Sequence, residues 1–582
     1  MVMEQVQGVK DYNLLLHELQ NLVPDIAWND FPTHSPGSSP IEVCQAIGEW
    51  YVKHSDEAKR HDAGQFFTPP IVARYMTNLA ATLHDNARVL DPGAGVGILA
   101  CAICESAKVQ KLTALSIVAY ESDPILHTLC SFTLNYARNF LQEHGIELVI
   151  ELYQQDFIEA MAEQMTQVSL WSNSLRPRQP FDLAILNPPY FKINQKDTRA
   201  RLIKDIAYGR TNIYTMFMSL AASALRVGGR FVSITPRSFA SGPYFRHFRQ
   251  QFFSTITPEL IHIFDSRRSA FEEAGVLQEN IILAGVRKGI SSVEAPLVTI
   301  SQSRGLNDLA HPLVQQTPRR YIIDEKQKDP VLHLPTNDID THLLQAFRRW
   351  GNRLTTYGLE ISTGPVVPFR ASDLLTTVEH VKRGEAVPLL WLQHVRRMDI
   401  KWPLEHFDKP QGVSYQASPK LLVKNTTQIV LRRFSAKEEP LRITAAILPE
   451  SAFGTELIGL ENHLNYLYRP GGMLTYVEAM GIAAFLNSRL VDRYFRITNG
   501  NTQVNATELR KLPLPQWEQL TRIGERVVGL QNKQDFDAIE HIIMEELEKD
   551  LIVGSENDDL QLPVLQDSRI SMGLFLINVV SS

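Results

Sequence analysis

From about residue 61 to residue 300, short apolar runs alternate with longer segments in which apolar residues recur at helical spacing. Short apolar runs bounded by turn residues are typical of buried strands, and strands that alternate with helices indicate βαβ units and a parallel sheet. The strands predicted in this way are 88–91, 116–121, 148–153, 183–186, 230–235, 260–265 and 281–286. The fold class that follows is α/β.

The same pattern divides the chain into five predicted parts. Residues 1–60 favour helix, 61–310 hold the sheet, and 311–349 form a connecting segment of mixed pattern. Residues 350–515 show short, irregular strand candidates between prolines and glycines, with a helix near 476–494. Residues 516–582 begin with charged helical periodicity and end in an acidic stretch. We therefore expect a sheet domain followed by a mixed α+β domain.

The predicted strand 183–186 ends abruptly at Asn187-Pro188-Pro189-Tyr190. Proline cannot continue the hydrogen-bond ladder of a strand, so the loop is rigid and lies at the carboxyl edge of the sheet, where open α/β sheets bind ligands. The Asn187 side-chain oxygen and a backbone carbonyl can accept both hydrogens of an NH2 group, and Tyr190 can stack on a planar base. The loop predicts a site for an exocyclic amine.

A second motif, residues 89–97, follows one predicted strand and opens a helix. Asp91 ends the strand, and Gly93 and Gly95 let the backbone approach a ligand closely beside the unpaired N–H groups of the helix. The same kind of turn binds dinucleotides, so the turn alone does not identify the ligand. It indicates a nucleotide-like cofactor.

Two further acids end successive predicted strands, and both suit an adenosine-type ligand. Glu121 is the expected partner of ribose hydroxyls, a requirement that NAD and S-adenosylmethionine share. Asp156, followed by Phe157, could meet an adenine ring by its amine and by its face. Any one of these acids could instead cap a helix. Three acids in order at strand ends, counting Asp91, favour ligand binding over capping.

The third motif is the segment Gly-Gln-Phe-Phe-Thr-Pro-Pro at residues 64–70. Its structural interpretation is a turn in which Thr68 caps a helix over 71–83, with Pro69 at the first helical position. Its functional interpretation is a loop in which Phe67 and Thr68 lie over the amino-acid end of the cofactor. The two interpretations are compatible.

The net charge of −6 argues at first sight against a nucleic-acid partner. However, residues 541–560 hold seven acidic residues against Lys549 alone, so this segment carries the whole excess. The rest of the chain is nearly neutral and contains several Arg-Arg pairs that a fold could gather on one face. Charge therefore permits a DNA partner without requiring one.

Composition limits the other function classes. The chain has 582 residues, no apolar run long enough to span a bilayer, and no signal-peptide pattern at its first residues, so we expect a cytoplasmic protein without a membrane partner. Four cysteines in a chain of this length do not make a disulfide framework. Cys101 and Cys104 have CxxC spacing but lack a second pair or a His cluster, so we predict no metal site.

Taken in order, these motifs resemble those of the gamma-class DNA adenine-N6 methyltransferases. Further stretches resemble the modification enzymes of the BsuBI/PstI type, so that the resemblance covers about residues 60 to 515. Those stretches are Thr-Pro-Arg-Ser-Phe-Ala-Ser-Gly-Pro-Tyr-Phe at 235–245, Phe-Asp-Ser-Arg-Arg at 264–268, Val-Leu-Gln-Glu-Asn at 276–280, Leu-Glu-Asn-His-Leu-Asn at 460–465 and Asn-Gly-Asn-Thr-Gln-Val-Asn-Ala-Thr-Glu-Leu-Arg at 499–510.

The resemblance implies a Rossmann-like S-adenosylmethionine-dependent methyltransferase domain at 61–310 and a target-recognition domain at 350–515. It implies that residues 187–190 are catalytic and that Tyr190, assisted by Phe191, stacks on an adenine flipped out of the duplex. The residues it assigns to S-adenosylmethionine are Phe67, Thr68, Asp91, Gly93, Gly95, Glu121, Asp156 and Phe157. Among them Glu121 would hold the ribose, Asp156 the adenine amine, and Thr68 with Asp91 the methionine end.

The resemblance also implies double-stranded DNA as the substrate, with CTGCAG as the expected site and a separate restriction endonuclease as a partner in the same system. Arginine and lysine side chains are the common readers of base edges and phosphates. The candidates for DNA contact in the second half are Arg396, Arg397, Lys424, Arg432 and Arg433. We expect a monomer, since a modification enzyme can treat each strand separately.

Two alternatives share the pocket chemistry. An Asn-Pro-Pro-Tyr loop also suits a methyltransferase acting on RNA adenine or on a protein glutamine, since both substrates present a planar NH2 group. The predicted domain at 350–515 weighs against both, because such enzymes usually lack it. A binding module without catalysis is a poorer interpretation, since the loop and the glycine turn are intact.

Overall fold

The computed structural model describes residues 30–32, 37–62, 64–169, 179–194, 197–202, 212–264, 279–289, 297–323, 328–416, 419–435, 439–498 and 503–551. The chain forms two compact units, Met1–Thr336 and Asn337–Ser582. Several predicted stretches lie outside the described residues: most of 1–36, the motif residues 265–278 and 499–502, and the acidic end from residue 552.

A nine-stranded sheet is the centre of the first unit, in the order β3-β2-β1-β4-β5-β7-β6-β8-β9. The strands are β1 Ala87–Asp91, β2 Ala114–Tyr120, β3 Glu147–Tyr153, β4 Phe181–Leu186, β5 Leu225–Pro236, β6 Ile256–Phe264, β7 Asn280–Arg287, β8 Leu297–Ser303 and β9 Leu313–Pro318. The first five strands in the sheet order are mutually parallel, while β7 runs antiparallel to both β5 and β6. All seven strands predicted from the hydrophobic pattern are present.

Ten helices of the first unit fall within the described residues. They are α1 Pro40–His54, α2 Glu57–Asp62, α3 Pro70–Leu79, α4 Ile98–Val109, α5 Pro124–Gln142, α6 Phe157–Ser169, α7 Thr198–Leu202, α8 Ile213–Ala224, α9 Arg246–Thr255 and α10 Arg319–Ile322. Helices cover both faces of the sheet. Neighbouring residues of a strand point to opposite faces, and accordingly Val89 packs in one apolar cluster and Leu90 in another. This confirms the Rossmann-like α/β fold class.

The helix predicted over 71–83 is shorter and begins differently. It ends at Leu79, and its N-cap is Pro69, which has no side chain able to accept a hydrogen bond, while Pro70 takes the first helical position. The prediction that Thr68 caps this helix is therefore wrong. Thr68 has a different hydrogen-bond partner, described below.

The second unit is a mixed α+β structure of short strands. Its strands are β10 Glu360–Thr363, β11 Leu375–Thr376, β12 Ala386–Leu390, β13 Val395–Arg396, β14 Asp399–Ile400, β15 Gly412–Ser414, β16 Val423–Lys424, β17 Gln428–Arg432, β18 Ala445–Leu448, β19 Leu457–Leu460 and β20 Leu464–Tyr468. They form sheets in the orders β10-β20-β17-β18 and β11-β15-β12-β19-β16, together with the pair β13-β14.

The helices described in this unit are α11 Asp338–Arg349, α12 Val378–Lys382, α13 Tyr476–Leu486, α14 Arg489–Thr498, α15 Ala506–Lys511, α16 Trp517–Val528 and α17 Phe536–Leu551. The single helix predicted near 476–494 is thus two helices, because Asn487 ends the first and its side chain bonds back to the Ala483 carbonyl. Helices α13 and α16 pack closely at Gly481, where a Cβ atom would lie 1.9 Å from the Leu520 carbonyl oxygen.

The division between the units falls at Thr336/Asn337, inside the connecting segment predicted at 311–349. Strand β9 lies within that segment and pairs antiparallel with β8, so the start of the segment belongs to the sheet. Its apolar alternation is weak, with Leu313 and Val314 exposed, which is why the pattern did not mark it as a strand. The finer division into five parts stays a prediction.

Candidate active site

The site lies where the order of the sheet reverses. Strands β1 and β4 are adjacent and parallel, yet β2 and β3 extend the sheet on one side and β5 on the other. The loops after such neighbouring strands diverge and leave a crevice at the carboxyl edge. Asp91 ends β1 and Asn187 follows β4, so the fold brings the glycine turn and the Asn-Pro-Pro-Tyr loop to opposite sides of that crevice.

The glycine turn needs its glycines for conformation and space. Gly95 and Gly97 have φ values of +56° and +91°, a region that favours glycine. Gly97 precedes α4, and a Cβ atom there would lie 2.9 Å from Thr133 Oγ1. The Gly95 amide donates to Glu121 Oε2 at 2.9 Å. The turn is thereby tied to the acid that ends β2.

One cavity of about 250 Å³ lies in this crevice. Among its lining residues are Phe66, Phe67, Thr68, Gly93, Gly95, Glu121, Gln155, Asp156, Phe157, Asn187, Pro189, Phe191 and Arg199. Seven of the eight predicted cofactor residues line it, and Asp91 lies beneath the turn with 1% of its surface exposed. Asn187 and Pro189 line the same cavity, whereas Pro188 is buried behind it.

Burial makes the two acids next to the turn unusually weak. Burial, and secondarily the nearby charge of Glu121, raises the pKa of Asp91 to about 7. No side chain among the described residues bonds to the Asp91 carboxyl, and the backbone amides of Gly93 and Ala100 only partly oppose the rise. Burial also raises the pKa of Glu121 to about 7, although the amides of Asp123 and Gly95 oppose the rise. Buried acids of this kind suit a ligand that carries positive charge and hydroxyl donors.

Asp156 has two roles in the structure. Its Oδ1 accepts from the amides of Ile158 and Glu159, at 2.8 and 3.2 Å, and so caps α6. The sequence favoured ligand binding over helix capping for this acid. The structure corrects that expectation, because Asp156 does cap a helix. Its Oδ2 faces Arg199 Nη1 at 3.3 Å and retains a lone pair on the cavity side. Capping thus uses one oxygen and leaves the other on Arg199.

The Asn187 side chain is held at both ends. Its Nδ2 donates to the Phe66 carbonyl at 2.9 Å and to Thr68 Oγ1 at 3.0 Å. Its Oδ1 accepts from the Tyr190 hydroxyl at 2.6 Å. The hydroxyl also lies 3.0 Å from the Ile234 carbonyl. Asn187 therefore presents an oriented acceptor oxygen that is occupied by a donor of the same loop.

The aromatic side chains around the loop form one group. The Tyr190 and Phe66 rings stack with centroids 5.6 Å apart, and Tyr214 meets Tyr190 edge-on at 6.2 Å. Burial raises the pKa of Tyr190 well above its ordinary value, so its hydroxyl remains a donor at neutral pH. The Arg199 guanidinium lies 5.7 Å from the Phe191 ring centroid. Phe157 is packed between Tyr120 and Phe217 and forms a wall of the cavity.

Phe66 and Arg199 were missed in the sequence. Phe66 acts through its backbone carbonyl, which no residue pattern reveals, and it stands beside Phe67 in the same motif. Arg199 belongs to the five-residue helix α7, where two arginines occur without any signal that one of them faces a cavity.

The five candidates for DNA contact in the second unit differ in their surroundings. Arg397 donates to Glu540 Oε1 at 2.9 Å and lies 4.1 Å from the Phe536 ring centroid. Arg432 donates to the Val395 carbonyl at 2.7 Å, and Arg433 to the Asn462 carbonyl at 3.3 Å. Arg396 and Lys424 have exposed side chains. For contact with DNA we therefore retain Arg396 and Lys424 as the leading candidates.

The described residues hold neither a metal site nor a membrane-spanning helix. No three His, Cys, Asp or Glu side chains in that part of the chain come together as a metal site. Within the same residues, no helix is both long enough and apolar enough to cross a membrane. All four cysteines are buried and free, including Cys101 and Cys104 in α4.

Comparison with known proteins agrees with this geometry. Residues 108–271 match the family model described as Eco57I restriction-modification methylase. Type II methyltransferase M.PstI of Providencia stuartii is 35% identical over 81% of this chain and 90% of its own length. Type II methyltransferase M.BsuBI of Bacillus subtilis is 32% identical over 81% of this chain and 91% of its own.

A third relative matches a smaller part. The tRNA1(Val) (adenine(37)-N6)-methyltransferase of Flavobacteriaceae bacterium strain 3519-10 is 26% identical over 28% of this chain and 57% of its own length. The two type II enzymes, in contrast, match over lengths that neither unit alone could supply. These matches thus extend over both units, and the chain belongs to the type II restriction-modification DNA methyltransferases.

Proposed function

We propose that this DNA methyltransferase transfers the methyl group of S-adenosylmethionine to N6 of an adenine flipped out of double-stranded DNA. The observation that carries the proposal is the shared cavity. Residues suited to an adenosine-type cofactor and the Asn187 amide line the same space of about 250 Å³. A methyl donor and an acceptor amine must meet in line, and much of the rate comes from that placement.

The residues around the glycine turn fit S-adenosylmethionine. Each Glu121 carboxyl oxygen accepts one backbone amide and keeps a lone pair for a ribose hydroxyl. Asp156 Oδ2 can accept from the adenine amine, and the buried Asp91 carboxyl, which no side chain of the described residues contacts by a hydrogen bond, suits the ammonium end of the methionine moiety. The cofactor, when bound, supplies an electrophilic methyl group on a sulfonium leaving group.

The Asn-Pro-Pro-Tyr loop would act on the acceptor amine. The lone pair of adenine N6 is delocalised into the ring, so the amine is a poor nucleophile. Asn187 Oδ1 and the Pro188 carbonyl would accept its two hydrogens and stabilise the nitrogen as it becomes tetrahedral, an effect that is greatest when charge develops. Because Tyr190 donates to the same Oδ1, the incoming amine must displace that hydroxyl.

The acceptor base must leave the duplex to reach this crevice, at a cost of about a few kcal/mol. The Tyr190 ring, freed from Asn187, would stack on the base, with Phe191 assisting from the far side of the loop. Stacking on an aromatic side chain is worth about 1–3 kcal/mol. This offsets most of the cost of flipping.

The second unit would supply sequence recognition, with CTGCAG as the first site to test and a separate endonuclease as the partner of the system. The RNA and glutamine alternatives are weaker. The tRNA methyltransferase matches only 28% of this chain, whereas the type II enzymes match 81%. A methyltransferase that acts on an RNA adenine or a protein glutamine has no need of a separate unit that reads a DNA sequence.

Methylation-sensitive sequencing of DNA from cells that express the chain tests the proposal, because it reports base, position and site together. We expect N6-methyladenine at one short sequence, and none in cells that express Asn187→Ala. The purified variant should lose at least about 100-fold in kcat yet bind S-adenosylmethionine as the wild type does. Methylated cytosine, or full activity of the variant, would refute the proposal.

A further inference from the structure

Each hydrogen bond of the Asn187 side-chain amide goes to a partner whose position the fold fixes. Nδ2 donates to the Phe66 carbonyl at 2.9 Å and to Thr68 Oγ1 at 3.0 Å, so both of its hydrogens are used. Oδ1 accepts from Tyr190 at 2.6 Å. Thr68 is 4% exposed, so water has little access to replace its hydroxyl.

These partners distinguish the two orientations of the amide. An asparagine can exchange its oxygen and nitrogen by a half-turn about χ2 at almost no change in shape. In the reversed orientation Oδ1 would face the Phe66 carbonyl, and two acceptors would meet at hydrogen-bond distance. The Thr68 hydroxyl can serve either orientation, but it fixes the plane in which the amide lies. The carbonyl therefore selects the orientation with Nδ2 towards residues 66–68, and the hydroxyl holds the amide in the plane that brings Nδ2 to that carbonyl.

The segment that carries these groups is itself attached to the loop. The Gly64 carbonyl accepts from the Tyr190 amide at 3.3 Å, and the Phe66 ring stacks on Tyr190. A Cβ atom on Gly64 would lie 2.6 Å from the Tyr190 nitrogen, and its φ of +62° also favours glycine. Residues 64–68 therefore hold the acceptor loop through backbone, ring and side-chain contacts.

We infer that Thr68 is a positioning residue for the catalytic amide: its hydroxyl, with the Phe66 carbonyl, keeps the acceptor oxygen of Asn187 directed at the substrate amine. The inference rests on the proposed function. In the reversed orientation Nδ2 would meet the substrate NH2, and two donors would repel each other. The role differs from the contact with the methionine end of the cofactor that the sequence motif suggested.

Thr68→Val tests this inference, because valine keeps the shape and removes the hydroxyl. We expect kcat to fall about 10-fold, the equivalent of about 1.4 kcal/mol for one lost hydrogen bond. The Kd for S-adenosylmethionine should change less than about twofold. Thr68→Ser keeps the hydroxyl and should restore most of kcat. Thr77→Val is the matched control, since Thr77 is a buried threonine of α3 whose Oγ1 has no partner among the described residues.

A binding experiment tests the orientation of the Asn187 amide without methyl transfer. Enzyme saturated with S-adenosylhomocysteine is titrated with duplexes that carry adenine or purine at the target position, since purine lacks the amine. The wild type should prefer adenine, and Thr68→Val should lose most of that preference. In an Asn187→Ala background Thr68→Val should have no further effect on either kcat or the preference, because the group that it positions is gone.

The inference is overturned if Thr68→Val weakens S-adenosylmethionine binding while kcat at saturation stays normal, which is the result for a cofactor contact. It is also overturned if Thr77→Val causes the same loss as Thr68→Val, which indicates general packing. Either result leaves adenine methylation by the wild type intact. Failure of the proposed function would instead appear as a wild type that methylates no adenine.

Discussion

Asp91 in the first unit and Glu540 in the second are buried acids with different surroundings. No side chain among the described residues bonds to the Asp91 carboxyl, and burial raises its pKa to about 7. In the second unit Glu540, equally buried, accepts from Arg397 and from the Arg489 amide. Burial also raises the pKa of Glu540, and both partners oppose the rise. This difference makes Asp91 a candidate ligand group and gives Glu540 a structural role.

The largest effect should come from removing Arg397, the cation paired with the buried Glu540 carboxylate. Arg397→Met leaves the Glu540 carboxylate buried without its cation, and such a loss costs about 3–5 kcal/mol. Urea unfolding should show the midpoint of the second unit falling accordingly. Arg396→Met, one residue away and exposed, is the control and should leave the midpoint unchanged. Equal stability of the two variants would show that Arg397 is not structural.

Replacing Asp91, the buried acid of the first unit, should instead stabilise that unit. Asp91→Asn removes an acid whose pKa rises from 3.8 to about 7 on folding, a shift equivalent to at most about 4 kcal/mol. Because the folded protein holds the proton more tightly, the acid costs nothing below about pH 4, and stability is lost as the pH rises from about 4 to about 7.

Unfolding of cofactor-free protein at pH 5 and pH 8 tests this sign. The variant should be more stable than the wild type at pH 8, with less than half of that difference at pH 5. It should also bind S-adenosylmethionine more weakly, because the group that meets the ammonium is lost. A variant less stable than the wild type at pH 8 would show that Asp91 is already satisfied in the fold.

A smaller effect is expected at Tyr190, where the group proposed to contact the substrate is an aromatic ring and not a charge. Tyr190→Ala should lower kcat/KM by about 10- to 100-fold, the equivalent of about 1–3 kcal/mol of stacking. The loss should be milder on a mismatched target adenine, which flips more easily. Tyr190→Phe keeps the ring and frees Asn187 Oδ1, so it should retain activity. Equal losses on matched and mismatched DNA would argue against stacking.

The smallest effects should arise at exposed cations of the second unit. Arg396→Ala and Lys424→Ala should each weaken DNA binding modestly, by less than about 1 kcal/mol, and reduce the slope of log Kd against log salt by about 1 if they contact phosphates. Fluorescence anisotropy at several salt concentrations measures this slope. An unchanged slope in both variants would remove them from the interface.

Much of the first unit could be predicted because its signals are local. Each buried strand is a short apolar run, and the proposed ligand residues Asp91, Glu121 and Asn187 stand at strand ends, so their place at one edge of the sheet could be predicted from the sequence. Thr68 was mistaken for a helix cap, since a threonine before two prolines fits that role equally well. Its actual partner is Asn187, which is distant in sequence and near only in the fold.

The second unit could be predicted far less well. The sequence of an Arg-Arg pair does not show whether its side chains face solvent or a carboxylate. Arg397 meets Glu540 across a long stretch of sequence, and Arg432 bonds to a backbone carbonyl that no residue type reveals. The single helix predicted near 476–494 failed for a similar reason. Asn487 ends α13 through its own hydrogen bonds, in a stretch whose apolar periodicity continues.

The reversal of strand order between β1 and β4 has a consequence for evolution. The acids proposed for the methyl donor stand after β1, β2 and β3, and the loop proposed for the acceptor stands after β4, while residues 66–68, which bond to that loop, stand before β1. Most of the donor block and the acceptor loop are thus separate stretches of sequence that meet only in space. Selection can alter the acceptor loop, and with it the kind of amine that is modified, while the donor block is inherited unchanged.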